Sequence, residues 1–86
     1  MTLLEASEII RMFATDDPAL GEWGWDDFVS VTDPNPAVNA LRLRADRVCL
    51  DYPSDIPSHW CSDAGIAVLL MMADEAARAH LTVGLD

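Results

Sequence analysis

The chain has 86 residues, 51% of them hydrophobic, which is material for one core and one domain. Fifteen acids stand against five arginines and no lysine, so the net charge at pH 7 is −10. Nucleic acid and anionic membranes both require a basic patch, so neither is an expected partner, and a lysine nucleophile or lysine phosphate clamp is excluded.

The first element reads as a helix. Thr2 and Glu5 have the spacing of a capping box, in which each side chain satisfies the other residue's backbone N–H. Ala6, Ile9, Ile10 and Phe13 then recur at three- and four-residue steps and give one apolar face. Glu5 and Glu8 replace the basic stretch that would open a signal peptide. Asp16 and Asp17 stop the helix, and Asp17-Pro18 can open a short second turn.

The next stretch, Gly21-Glu22-Trp23-Gly24-Trp25-Asp26-Asp27, sets two indoles among carboxylates. Between Asp16 and Asp33 there are six acids, Asp16, Asp17, Glu22, Asp26, Asp27 and Asp33, and no base. Runs of like charge usually form a solvated face. Tryptophan, however, is a frequent interface anchor. Two readings follow: the rings fold back onto the core edge, or they bury in a partner that the carboxylates have steered in. The second makes Asp16, Asp17, Glu22, Trp23, Trp25, Asp26 and Asp27 the expected partner-binding set. On a helix, Glu22 and Asp26 would sit roughly 5–6 Å apart, on the scale of successive phosphates.

The middle of the chain favours strands. Phe28-Val29-Ser30-Val31-Thr32 is β-branched and aromatic, and Asp33-Pro34-Asn35-Pro36 is a turn. Leu41-Arg42-Leu43-Arg44 alternates, as do Val48, Leu50 and Tyr52 with Cys49 and Asp51. A competing reading makes Asn35 the cap of a helix opening at Pro36, with Val38, Leu41, Ala45 and Val48 on one face. Tyr52 to Trp60 reads as a loop.

Ser62 has the character of an N-cap, with Asp63 in the first turn, and the last helix is expected to run to about His80. Its longest apolar run, Ala64 to Ala73, is too short to cross a bilayer. The first half of the helix, Ile66 to Ala73, is apolar all round, so it belongs in the core or under a second chain. Homodimerisation through residues 62–80 is therefore a further expectation. The predicted fold is α+β: an N-terminal helix, a short antiparallel β-sheet and a long C-terminal helix packed on it. Its core would set Ile66, Leu69, Leu70 and Ala73 against Ile9, Ile10, Phe13 and the inward residues of the strands.

Phosphate-binding, dinucleotide-binding and serine-hydrolase motifs are absent, so the chain is read as non-catalytic and without a cofactor. Cys49, His59, Cys61 and His80 could in principle hold zinc, but only His59 and Cys61 have ligand spacing, so no metal is expected. Both thiols are expected to be reduced in a cytoplasmic protein. In size and charge the chain resembles the phage-encoded anti-CRISPR proteins, and also the immunity proteins that mask nuclease toxins. Either resemblance implies an acidic inhibitor of a basic, nucleic-acid-handling protein, a CRISPR effector in the first case.

Overall fold

The computed structural model describes residues 1–21, 24–55 and 61–85, and its regular elements are all helical. Helix α1 spans Leu3–Ala14, α2 Gly24–Ser30, α3 Pro36–Asp51 and α4 Asp63–Leu85, with a 3-10 turn at Pro18–Leu20. The expected antiparallel sheet is therefore wrong. Among the described residues the only β-like pairing is an isolated bridge between Pro53 and Cys61.

The capping box at α1 is formed. Thr2 Oγ1 accepts the Glu5 N–H at 3.1 Å, and the Glu5 carboxylate accepts the Thr2 N–H at 3.0 Å. The helix ends in a Schellman motif. The Asp17 N–H donates to the Met12 carbonyl at 2.9 Å and the Asp16 N–H to the Phe13 carbonyl at 3.2 Å. Asp16 occupies the left-handed position of that motif, with φ 55°. Asp17 then caps the 3-10 turn by accepting the Ala19 N–H at 2.9 Å.

Most of the stretches expected as strands are helical instead: Phe28–Ser30 closes α2 and Leu41–Asp51 lies in α3, while Val31, Thr32 and Tyr52 fall just past the helix ends. Asn35 accepts the Ala37 N–H at 3.0 Å, and Pro36 takes the first helical position, where its missing N–H costs nothing. From there Val38, Leu41, Ala45 and Val48 form the buried stripe of α3. The Leu41–Arg44 alternation does not survive. Leu41 is buried while Leu43 is 56% exposed, and Arg42 is buried while Arg44 is exposed. Phe28 is buried on α2 instead of on a strand. Its β propensity yields to packing against α1 and α3.

Arg42 ties α2 to α3. Its guanidinium donates to the Val29 carbonyl in the last turn of α2 at 2.6 Å, where a cation also meets the negative end of the helix dipole. Asp33 and Asn39 close the same corner: Asn39 Oδ1 accepts the Asp33 N–H at 2.7 Å.

Helices α1 and α4 make the most extensive pair, with α3 against both. Ile10, Leu69 and Ala73 are fully buried. Ile9, Phe13, Ile66 and Leu70 are half-buried around them. Ser62 caps α4 as expected, its Oγ accepting the Gly65 N–H at 3.3 Å. The helix extends past His80 to Leu85. Its apolar circumference is divided: Leu69, Met72, Ala73 and Ala76 are buried, while Met71 is 55% exposed. Among the described residues no helix is long and apolar enough to cross a membrane.

Cys49 and Cys61 form a disulfide with Cα atoms 4.8 Å apart, inside the range a disulfide spans. This corrects the expectation of two reduced thiols, and it moves Cys49 from a strand to the last turn of α3. The bridge fastens the end of α3 to the start of α4. Gly65 sits at that junction. A Cβ added there would lie 2.9 Å from Tyr52 Cβ and 3.2 Å from Cys61 Cβ, so glycine is needed for the close approach.

Candidate functional site

The end of α1, the 3-10 turn, the start of α2 and the first turn of α4 surround a cleft of about 630 Å³. The Schellman motif turns the chain so that Asp16 and Asp17 stand at its edge. The capped start of α4 brings in Asp63 and Ile66 from a distant part of the sequence.

Half-buried apolar groups line it, with Phe13, Leu20, Trp25 and Ile66 the largest. Trp25 is stacked on Phe13, ring centroids 3.9 Å apart and planes 11° from parallel. It also meets Phe28 at 5.5 Å. The indole is thus one of the rings that fold back onto the core edge, and its remaining surface faces the cleft.

Exposed aspartates share this lining. Among the described lining residues Asp16, Asp17, Asp26 and Asp63 are acidic and none is basic. Part of this charge has a local structural use. Asp17 caps the 3-10 turn, while Asp26 and Asp63 sit in the first turns of α2 and α4, where negative charge is favourable.

The structure brings together four of the residues expected to bind a partner: Asp16, Asp17, Trp25 and Asp26. Asp27 faces away, toward a small recess shared with Phe28 and Val38. Glu22 and Trp23 lie outside the described residues, as does His59. Asp33 is drawn out of the acidic group. It pairs with the Met1 ammonium at 3.2 Å and accepts the Asn35 N–H at 2.9 Å. The Asn35 N–H, with the Met1 ammonium and Arg42 nearby, holds its carboxyl below the ordinary value of 3.8.

Sequence reasoning missed Phe13, Leu20, Asp63 and Ile66 as parts of this site. Phe13 and Ile66 carried a core signal and Asp63 a capping signal. Only the tertiary fold, which sets the start of α4 beside the end of α1, turns them into a wall of the cleft. A scan against protein-family models and searches of curated proteins and of solved structures find no match to this chain.

Proposed function

We propose that this protein is a non-catalytic acidic inhibitor that docks on the basic, nucleic-acid-binding surface of a partner protein, with a CRISPR effector as the leading partner class. The observation that carries the reading is the cleft: exposed carboxylates gathered around an aromatic lining, with no base among the described lining residues. Charge of one sign raises the encounter rate with a basic surface, and the apolar lining supplies burial after contact. The net charge of −10 extends the same field over the whole molecule.

The test is affinity capture from cells that carry CRISPR effectors, followed by identification of the captured proteins and competition with duplex DNA. Captured proteins should be nucleic-acid binders, released by added DNA and by salt. A folded Asp26→Lys/Asp27→Lys variant should capture at least tenfold less. Capture that ignores DNA, or that survives the charge reversal, would overturn the proposal. Release from a nuclease toxin instead of an effector would select the immunity-protein reading.

A further inference from the structure

At about 630 Å³ the cleft has the size of sites that take a side chain or a small ligand. Phe13, Leu20, Trp25 and Ile66 offer surface for an alkyl stem or a flat group. The parallel stack on Phe13 fixes the Trp25 indole before anything binds, so little ordering remains to be done on association. Beside it, Asp16, Asp26 and Asp63 are exposed, and among the described residues none of them is in a salt bridge.

Such a lining selects its occupant. An anion would meet repulsion, and a neutral apolar group would leave the carboxylates without a partner. A metal cation would find a poor coordination shell, since among the described residues no three acidic, histidine or cysteine side chains come together to hold one. What fits is a group cationic at its head and apolar along its stem. Lysine meets that description in part. Arginine meets it fully, because its planar guanidinium stacks on an aromatic face and donates in parallel to a carboxylate.

We infer that the cleft is a receptor for an arginine side chain presented by a basic partner protein, with the guanidinium placed against Trp25 and among Asp16, Asp26 and Asp63. The inference rests on the inhibitor reading above and supplies its anchor. Steering and anchoring then use the same carboxylates, so the group that attracts the partner also holds it.

The probe is a blocked Gly-Leu-Arg-Leu-Gly peptide, titrated into the isotope-labelled protein by NMR beside its lysine and citrulline counterparts and free spermidine. The arginine peptide should give saturable shifts confined to Phe13, Leu20, the Trp25 indole N–H and Ile66. The lysine peptide should bind at least threefold more weakly and the citrulline peptide at least tenfold. Asp26→Asn/Asp63→Asn, which keeps side-chain size, should lower affinity for the arginine peptide tenfold and leave citrulline binding unchanged. Non-saturating shifts spread over the acidic surface would overturn the proposal, as would equal binding of citrulline. Spermidine binding as tightly as the peptide would replace the partner's arginine with a free organic cation and overturn it too. If the peptide is silent while DNA-sensitive capture persists, the arginine receptor falls and the inhibitor reading stands. If the peptide binds while capture ignores DNA, the receptor stands and the inhibitor reading falls.

Discussion

Asp16 is an unexpected residue for its backbone. The left-handed position after a helix is usually glycine, because a Cβ there crowds the following carbonyl. An aspartate at φ 55° stores strain that glycine would release. Asp16→Gly should therefore raise stability by about 1 kcal/mol. It should also lower affinity for the arginine peptide, since one carboxylate leaves the edge of the cleft. Chemical denaturation and the NMR titration read the two effects separately. A variant that gains stability and keeps full affinity would show that the carboxylate has no part in binding. Ser7 shows the opposite economy. Its hydroxyl is buried in α1 without a hydrogen-bond partner among the described residues. Ser7→Ala should be neutral or stabilising by up to about 1 kcal/mol, read as a shift in the denaturation midpoint.

At the level of elements, one guanidinium gives the joint between α2 and α3 its charged hydrogen bond. Arg42→Met keeps the stem but leaves the Val29 carbonyl without its charged donor, and should destabilise by about 1–3 kcal/mol. A midpoint in urea that does not move would show that water replaces the bond at no cost. Asp33 secures the neighbouring corner and makes it pH-dependent. Its folded pKa is lowered, so its contribution is complete above 3.8 and fades as pH falls through the folded value. Glu5 acts in the same direction through the Thr2 N–H. Asp33→Asn should therefore unfold at lower urea than the parent chain at neutral pH, and the gap should close in acid; a gap independent of pH would contradict this. This region also shows what the sequence could convey. The caps at Thr2, Asp17 and Ser62 were legible because one side chain and one backbone N–H define them. The α3 segment carried two patterns at once: a four-residue alternation, and a longer stripe from Val38 to Val48 behind an Asn-Pro cap. The longer pattern wins because it buries four side chains on one face, whereas the alternation would have set Arg42 in water. The acidic, aromatic half of the cleft was visible in residues 16–27. Its other wall was not, because no local pattern announces that α4 begins beside the end of α1.

For the molecule as a whole, like charge and a small core work against compactness, and the core offsets this by joining α1, α3 and α4 around Leu69 and Ala73. The disulfide adds a covalent constraint where α3 meets α4. A ring of this size removes about 3 kcal/mol of loop entropy from the unfolded chain in the simple entropic picture. It has a topological consequence as well. Every peptide bond between Cys49 and Cys61 lies inside a closed ring, so cutting one of them opens the ring without parting the chain. Limited proteolysis in this stretch should yield a species that keeps full mass on a non-reducing gel. Added thiol should then split it into two fragments, the shorter carrying α4. Nicked protein should still bind as long as the bridge is intact. Fragments that separate without reductant would show that Cys49 and Cys61 are not joined. With the bridge in place, the protein has a backbone that can be broken once between Cys49 and Cys61 and remain a single molecule.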